Sequence, residues 1–246
     1  MSKFESIFRD PFPYSSLNEL FGPTNFYNYM NHGYYPSYAN LNGYHKAFKH
    51  QASLYRYLFD GIPTKNKKLL EIGCGRGGGI DLLSTQFEFQ SIEGCDLNQP
   101  NIDHCKKHSK FARFKISDAE HLEYKDNQFD IVLNVESSHH YKDLEKFYSG
   151  VKRVLKESGV FLYADAFDST SSANLLLHTT FKKVKKEDIT SHVKLACEKD
   201  IKNFDKILPE GEIKDFSVAL AKRALSLYKN GKSKYFKYII HKGAHA

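Results

Sequence analysis

The sequence predicts an α/β fold with a mostly parallel sheet, and three observations support this prediction. Residues 67–79 read Lys-Lys-Leu-Leu-Glu-Ile-Gly-Cys-Gly-Arg-Gly-Gly-Gly, a pattern typical of a buried strand that breaks into a glycine turn. From there, apolar runs alternate with helical stretches, and such alternation indicates βαβ units. The run 131–133 is Ile-Val-Leu, as expected for a central strand covered on both faces.

The individual elements follow from this alternation and from apolar periodicity. Strands are predicted over 68–72, 90–95, 111–116, 129–135 and 159–164, and helices over 78–86, 99–109, 142–156 and 169–178. A sixth strand is predicted over 181–189, a mostly helical stretch over 191–229 and a final strand over 234–240. The chain therefore predicts seven strands, with helices inserted before the last one.

The first 60 residues contain 16 of the 35 Phe and Tyr residues of the chain. A disordered tail is poor in aromatic residues, so we expect this segment to pack onto the core. Short helices are predicted near 4–8 and 15–21, and a longer one over 45–59. We expect a helical cap over 1–60, a cofactor-binding core over 61–190, and a second helical cap with the final strand over 191–246.

Composition narrows the class of protein. The chain is 41% hydrophobic and 26% charged, as soluble globular proteins are. It has no apolar run of the ~18 residues that span a membrane, and because its first ten residues include acids and no apolar stretch, we expect no secretory signal there. We expect a cytoplasmic protein. The cysteines show no CxxC pair and no zinc spacing, so we predict reduced thiols and no metal site; they are Cys74, Cys95, Cys105 and Cys197.

Positive charge is concentrated in the C-terminal part of the chain. Residues 1–150 hold 17 Lys and Arg against 18 Asp and Glu, whereas residues 151–246 hold 19 against 11. Such a basic part indicates either a nucleic-acid partner or a solvated lysine face. The lysines around 182–186 bracket single apolar residues, which favours the solvated face. An RNA-binding protein or RNA methyltransferase remains the alternative hypothesis.

The glycine turn fits two cofactors. Gly73, Gly75 and Gly78 match the dinucleotide fingerprint, with Asp96 near the ~20-residue distance of a ribose-binding acid. Glu71 stands just before the first glycine, and an acidic loop repels a pyrophosphate but attracts the sulfonium and ammonium groups of S-adenosylmethionine. The loop therefore favours S-adenosylmethionine. An NAD-dependent reductase is disfavoured further, because no Tyr-x-x-x-Lys pair follows the fourth strand.

Each of the first five predicted strands ends in or beside a carboxylate. These are Glu71, Asp96, Asp118, Glu136 and Asp165. Ligands of open α/β sheets bind beyond the carboxyl ends of the strands, so we expect the five groups to share one rim.

Several positions on this rim have a functional and a structural interpretation. Asp96 either accepts hydrogen bonds from the ribose hydroxyls of the cofactor or caps the next helix. Leu97 either lies against the adenine ring or belongs to the core. Asp118 either accepts a hydrogen bond from the adenine amine, next to the small side chain of Ala119, or stands in a surface turn. Asn134 offers its carbonyl to the amino-acid end of the cofactor, and Glu136 caps the next helix.

Two adjacent histidines, His139 and His140, follow the fourth strand. A neutral imidazole takes up a proton near pH 7. Asp165 ends the neighbouring fifth strand, and a base oriented by a carboxylate is a recurring catalytic arrangement. We predict that these three residues form a general-base cluster; the alternative is a structural role at the rim.

The order of these motifs resembles that of the class I S-adenosylmethionine-dependent methyltransferases. The matching stretches are LLEIGCGRGGG, EGCDLN, ISDAEHLEYKDNQFDIVLNVESSHHY and FYSGVKRVLKESGVFLYAD, within residues 67–165. The resemblance implies a Rossmann-like, seven-stranded, mostly parallel sheet whose last strand is antiparallel. It also implies cofactor contacts at Glu71, Gly73, Cys74, Gly75, Asp96, Leu97, Asp118, Ala119 and Asn134.

A narrower resemblance links NVESSHHY, FLYAD, EDITSHV and GKSKYFKYII to methyltransferases of natural products, lipids and sugars, such as the phthiotriol dimycocerosate and rebeccamycin sugar O-methyltransferases. It implies that His139, His140 and Asp165 deprotonate a hydroxyl of a small, partly apolar acceptor. Residues 31–35 resemble the aromatic element that closes over the cofactor there, which implies a contact by Tyr34, although the usual tryptophan is absent. The acceptor's identity, its reacting atom and the oligomeric state stay open.

Overall fold

A computed structural model describes Leu20, Gly22 and residues 27–38, 40–168 and 173–243. The short helices predicted near 4–8 and 15–21 lie outside these residues, apart from Leu20. The remaining predicted elements fall within them, except for the first residues of the helix predicted over 169–178.

A seven-stranded sheet forms the centre of the described chain. Its strands are β1 (Lys68–Ile72), β2 (Ser91–Asp96), β3 (Arg113–Ile116), β4 (Phe129–Val135), β5 (Leu155–Asp168), β6 (Lys183–Asp188) and β7 (Ser233–His241). The spatial order is β3-β2-β1-β4-β5-β7-β6. The first five strands run parallel, and β7 runs antiparallel to β5 and to β6. The predicted Rossmann-like sheet with an antiparallel last strand is confirmed.

Helices connect and cover the strands. They are α1 (Gly43–Ala47), α2 (Lys49–Leu58), α3 (Gly78–Gln86), α4 (Gln99–His108), α5 (Leu144–Val154), α6 (Ala173–Thr180), α7 (Thr190–Ile207) and α8 (Glu212–Lys229), together with a short 3-10 turn at Ser138–His140. Side-chain caps fix two helix starts, because Asn98 accepts a bond from Asn101 N and Asp143 accepts one from Lys146 N.

Most predicted bounds agree with the structure to within two residues, and two elements differ by more. The helix predicted over 45–59 is interrupted at Phe48, whose backbone leaves the helical region with φ −101° and ψ 44°. Strand β5 runs from Leu155 to Asp168, four residues beyond the predicted strand at each end, and it starts early because the chain becomes extended directly at the end of α5. Leu155 pairs with Phe129 and Val160 pairs with Ile131. The extra residues of β5 between these pairs form a bulge. Such a bulge cannot be predicted from the alternation of apolar and polar residues along a strand.

The two faces of the sheet bury separate hydrophobic clusters. Leu69, Ile131 and Leu133 face one cluster, while their neighbours Leu70 and Val132 face the other, as strand alternation requires. The first cluster also contains aromatic side chains of residues 27–59 and apolar side chains of α7 and α8. The N-terminal segment and the helices inserted before β7 therefore cover the same face of the sheet.

The basic part of the chain contributes an edge of the sheet. Strand β6 lies at the end of the strand order, and its Lys183, Lys185 and Lys186 are exposed. Lysines on an edge strand discourage pairing with other chains, which gives these charges a structural role. All four cysteines are free and buried. None of the helices in the described ranges has the length and apolar character of a membrane span.

Candidate functional site

The turn after β1 depends on glycine conformations. Gly73, Gly75 and Gly77 have φ of 69°, 53° and 79°, in the left-handed region that favours glycine. The amide groups of Gly73 and Cys74 both donate to the carbonyl of Cys95, which fixes the turn against the end of β2. A Cβ added to Gly73 would lie 2.1 Å from Ser137 Oγ. The turn and the loop after β4 therefore approach each other as closely as backbone allows.

Three cavities follow one another along this edge of the sheet. The outer cleft has a volume of about 360 Å³ and is lined by Gly73, Asp96, Leu97, Asp118, Ala119 and His140, among others. The inner void, of about 30 Å³, shares Gly73, Asp96 and Ser137 with the outer cleft. The cap void, of about 20 Å³, lies under α7 and α8 and shares Met30 and Asn31 with the inner void. The shared walls place the inner void between the other two.

Asp96 stands at the junction of the outer cleft and the inner void. Its Oδ2 accepts a hydrogen bond from Gly75 N (2.8 Å), and its Oδ1 accepts one from Asn98 N (2.9 Å). The helix α4 is capped by Asn98, so capping does not explain this carboxylate. Asp96 therefore ties the glycine turn to the end of β2 while lining both cavities.

The other residues predicted to bind the base and ribose of a nucleoside meet in the outer cleft. Leu97 lies in this cleft and is 64% exposed, which excludes the interpretation as a core leucine. Ala119 is buried in the wall, and Asp118 beside it accepts a hydrogen bond from Glu120 N. The cleft thus offers an apolar surface between two carboxylates, an arrangement suited to a flat heterocycle with polar edges.

Two buried oxygen atoms beside the inner void lack hydrogen-bond partners within the described part of the chain. They are Glu71 Oε2 and Asn134 Oδ1. Tyr55, which lines the void, donates to Glu71 Oε1 (2.8 Å), and Asn134 Nδ2 donates to Ser137 Oγ (2.9 Å). Burial raises the pKa of Glu71 to about 8, against the effect of the Tyr55 hydrogen bond. Unpaired buried acceptors are costly. Neither Glu71 nor Asn134 lines one of the three cavities, but each is bonded to a residue that lines the inner void.

The two histidines after β4 are placed differently. Asp165 is fully buried and accepts bonds from His139 Nδ1 (2.7 Å) and from the hydroxyl of Ser138. Burial lowers the pKa of His139, but the neighbouring Asp165 outweighs it, and the net direction is upward. His140 lines the outer cleft, whereas His139 lines none of the three cavities. The 3-10 turn therefore separates the predicted pair, although their rings remain 4.1 Å apart.

Tyr34 is not brought to the three cavities. Its ring is stacked between Tyr57 and His192, with centroid distances of 4.1 and 4.8 Å. Its amide donates to the carbonyl of His50 in α2. This stacking holds Tyr34 in the packing between the N-terminal segment and the cap helices, and the predicted cofactor contact stays a prediction.

Residues just before Tyr34 are the ones that reach the site. Asn28, Met30 and Asn31 line the inner void. Arg76 Nε donates to the carbonyl of Tyr27 (2.9 Å), and Gly78 N donates to that of Asn28 (3.3 Å). Residues 27–32 therefore lie directly on the glycine turn. Sequence reasoning placed this element at the site but selected its aromatic residues over these neighbours.

Glu136 was predicted to stand on the rim but not to bind a ligand, and the structure places it in the wall of the inner void. Its φ is 46°, which for a residue with a side chain costs about 1–3 kcal/mol. Its Oε1 accepts bonds from His32 N (2.6 Å) and from the hydroxyl of Tyr235 (2.8 Å). Glu136 therefore joins the N-terminal segment to β7, and does not cap a helix.

Comparisons with known proteins agree with this geometry. Residues 70–163 match the family model described as "Methyltransferase domain". The chain is 36% identical over 143 residues to a fatty-acid O-methyltransferase of Mycolicibacterium smegmatis, covering 56% of this chain and 52% of that protein. It is 38% identical over 132 residues to the phthiotriol/phenolphthiotriol dimycocerosates methyltransferase of Mycobacterium tuberculosis, covering 53% and 45%. The matches thus span about half the length of these curated relatives.

Solved structures share the whole architecture at low identity. A geranyl diphosphate C-methyltransferase from Streptomyces coelicolor A3(2), solved with S-adenosyl-L-homocysteine, superposes with a TM-score of 0.70 at 16% identity, covering 94% of this chain and 98% of that one. A phosphoethanolamine N-methyltransferase 2 of Haemonchus contortus, solved with S-adenosyl-L-methionine, gives 0.68 at 18% identity, covering 99% and 60%. These likenesses support the fold.

Proposed function

We propose that this chain, which belongs to the class I S-adenosylmethionine-dependent methyltransferase family, methylates a hydroxyl of a small, partly apolar molecule. The observation that carries the proposal is the junction of the outer cleft and the inner void at Gly73 and Asp96. The outer cleft suits a nucleoside. Directly behind Tyr55 and Ser137 in the wall of the inner void lie two unpaired buried acceptors, Glu71 Oε2 and Asn134 Oδ1.

The residues of the outer cleft fit the adenosine portion of the cofactor. Asp96 is placed to accept from ribose hydroxyls, while Leu97 and Ala119 offer apolar contacts to the adenine. Asp118 lies on the same wall and is suited to the adenine amine. The volume of about 360 Å³ falls within the range of ~300–1,000 Å³ seen for small-molecule sites.

The residues at the inner void fit the amino-acid portion. S-adenosylmethionine supplies an activated methyl group on a sulfonium cation, and it also carries an ammonium group. Glu71 and Asn134 offer the acceptors that an ammonium requires. Because Glu71 is buried and its pKa is raised to about 8, this carboxyl is mostly neutral at pH 7 in the free protein. A cationic ligand favours its ionised form, so binding and proton release are coupled.

This coupling predicts a pH dependence of cofactor affinity. Between pH 6 and pH 7.5 the affinity for S-adenosylmethionine should rise by about tenfold per pH unit, because ionisation of Glu71, with a pKa of about 8, becomes easier. Above pH ~8 the rise ends, since Glu71 is then ionised in the free protein as well and binding no longer releases its proton. Calorimetry across this range should show the slope in the wild type and a flat profile in Glu71→Gln. Equal slopes in both proteins would contradict the role of Glu71.

The charges around the site favour a neutral acceptor. Glu136 and Asp165 are both buried, and both raise the pKa of His139. A carboxylate acceptor at the inner void would lie near Glu136, which lines that void, and two neighbouring carboxylates disfavour each other's ionised form. The cap void has apolar side chains such as Phe204 and Leu220 in its wall, beside polar ones such as Asp200. We therefore infer a hydroxyl acceptor with an apolar body.

A substrate that carries both a hydroxyl and a carboxyl group tests this proposal. 12-Hydroxydodecanoic acid carries a hydroxyl at one end and a carboxyl at the other. We expect the protein to bind S-adenosylmethionine and not NAD in calorimetry. In the transfer reaction, mass spectrometry should detect the methyl ether. Binding of NAD alone would overturn the cofactor assignment, and formation of the methyl ester alone would overturn the hydroxyl acceptor.

The cluster of His139, His140 and Asp165 is proposed to supply the general base, with His140 in the wall of the outer cleft and Asp165 holding His139 beside it. A well-placed base contributes about 10²–10⁴ in rate, so the double variant His139→Ala, His140→Ala should lower turnover of 12-hydroxydodecanoic acid by this factor. Cofactor affinity in His139→Ala should stay within about twofold, because His139 does not line the outer cleft or the inner void. The exposed His178 in α6 provides the matched control as His178→Ala. Full turnover in the His139, His140 and double alanine variants would remove this base from the mechanism.

A further inference from the structure

We infer that a row of three buried hydroxyl groups positions Asp165 and sets how tightly His139 holds a proton. These hydroxyls, termed the hydroxyl row, belong to Ser138, Tyr163 and Tyr148. The inference rests on the proposed function, because His139 and Asp165 belong to the cluster proposed to supply the general base. None of the three hydroxyl residues lines one of the three cavities, so they are positioning residues that act through Asp165.

The hydroxyl row ends on the carboxylate of Asp165. Ser138 Oγ lies 2.5 Å from Asp165 Oδ2 and 2.5 Å from the hydroxyl oxygen of Tyr163. The hydroxyl oxygen of Tyr148 lies 3.2 Å from that of Tyr163. Ser138 belongs to the 3-10 turn after β4, Tyr163 to β5 and Tyr148 to α5, and all three are at most 1% exposed. The row therefore joins three elements away from solvent.

The direction of these hydrogen bonds follows from counting protons. A hydroxyl group carries one proton, and an ionised carboxylate only accepts. Ser138 therefore donates its proton to Asp165 and must accept from Tyr163. Tyr163 has then used its own proton, so it accepts from Tyr148. All three protons point toward the carboxylate, and each bond in such a row strengthens the next.

Asp165 requires such donors because it is a fully buried carboxylate. Its Oδ1 accepts from His139 Nδ1 (2.7 Å) and from Ala166 N (2.8 Å), while its Oδ2 accepts from His139 N (3.2 Å) as well as from Ser138. Burial raises the pKa of Asp165, but His139 and the Ser138 hydroxyl outweigh it, and the net direction is downward. The hydroxyl row thus supplies the shorter of the two contacts to Oδ2.

The hydroxyl row weakens the hold of Asp165 on the proton of His139. A carboxylate whose charge is shared with other donors attracts a neighbouring proton less strongly. This keeps the pKa of His139 closer to neutral pH than an unshared carboxylate would, as a general base requires. The side chain of His139 is 39% exposed, so it exchanges protons with solvent. The other titratable groups that act on this pair are Glu136, His140, Tyr228, Tyr235 and Tyr238.

Three substitutions remove the hydroxyl groups one at a time, namely Ser138→Ala, Tyr163→Phe and Tyr148→Phe. NMR of isotope-labelled imidazoles measures the titration midpoint of His139, identified by its absence in His139→Ala. With fewer donors on Asp165, the proton of His139 is held more tightly, so the midpoint should rise. We expect a rise of about 0.5–1.5 pH units in Ser138→Ala. The rise should be smaller in Tyr163→Phe and smallest in Tyr148→Phe, because their effects pass through more bonds.

Two further variants separate shared charge from a loosened fold. Tyr124→Phe is the matched control, since the hydroxyl of Tyr124 is also buried but bonds to none of these residues, and the midpoint should not move. Asp165→Asn removes the charge itself and should lower the midpoint. A substitution that only loosened the turn would release His139 from Asp165 and would also lower its midpoint. A rise in Ser138→Ala therefore cannot come from loosening.

Turnover connects the hydroxyl row to the reaction. The acid limb of kcat for 12-hydroxydodecanoic acid should move with the midpoint, so Ser138→Ala should lose about 3–30-fold at pH 6.5 and regain most of this loss at pH 9. A midpoint that is unchanged or lower in both Ser138→Ala and Tyr163→Phe would overturn the inference. A loss of equal size at every pH would do the same. If the wild type transfers no methyl group, the proposed function fails, and the NMR titration still tests the hydroxyl row.

Discussion

Replacing Gly73 with alanine is expected to weaken the binding of S-adenosylmethionine by more than about 100-fold. The new Cβ would lie 2.1 Å from Ser137 Oγ and 2.7 Å from Ser137 Cβ. Alanine also adds about 1–2 kcal/mol of backbone strain in the left-handed region, where Gly73 has φ 69°. Relief of the clash requires the turn and the loop after β4 to separate, and these form the two walls where both cavities meet. Calorimetry with S-adenosylmethionine measures the effect.

Gly61→Ala is the matched control. Gly61 has φ 73°, and a Cβ there would meet no atom within 4 Å, so this variant carries the backbone strain without the clash. Its cofactor affinity should equal that of the wild type. The double variant Gly73→Ala with Ser137→Gly removes the two closest contacts and should recover part of the affinity. Wild-type binding by Gly73→Ala, or identical losses in both single variants, would show that the approach of the two walls is not required.

The second large effect is expected for Asp96→Ala, with a loss of cofactor affinity of about 100–1,000-fold. The carboxylate accepts from Gly75 N and Asn98 N, so its removal leaves two backbone donors unpaired and takes away the proposed ribose partner. Each hydrogen bond to a charged group is worth about 1.5–3 kcal/mol. Isothermal titration with S-adenosylmethionine measures the loss, and thermal unfolding shows how much of it reflects loosening of the turn.

Asp103→Ala serves as the comparison for Asp96→Ala. Asp103 is an exposed carboxylate in α4 that bonds to Gln99, and its removal should leave the affinity unchanged. Asp96→Asn keeps the size of the side chain but turns an amide donor toward one of the two backbone donors, so we expect it to bind almost as weakly as Asp96→Ala. An affinity within twofold of the wild type in either Asp96 variant would exclude the proposed ribose contact.

Local patterns were enough to predict the sheet and most of the outer cleft. The strand before Gly73 and the alternation up to Asp165 predicted the order of elements, because each depends on nearby residues. Leu97, Asp118 and Ala119 follow strands directly, and parallel strands bring their carboxyl ends to the same edge. The structure places all three in one cleft with Asp96. For these positions, knowing which strand a residue follows was sufficient.

The inner part of the site could not be predicted in this way, because it depends on contacts between distant segments. His32 meets Glu136 across 104 positions and Tyr228 across 196, and no sequence period records such pairs. The different positions of His139 and His140 follow from the 3-10 turn at Ser138–His140. A turn of three residues is too short to be predicted from sequence periodicity. The ring of Tyr34 stacks with Tyr57 and His192, and the residues next to Tyr34 in the sequence do not indicate either partner.

The stretch 27–32 borders both the inner void and the cap void, with Met30 and Asn31 common to the two. The two voids thus have one stretch of wall in common. A substitution at Met30 or Asn31 therefore changes the lining of both voids at once, so its effects on the two cannot be separated by mutating either residue alone.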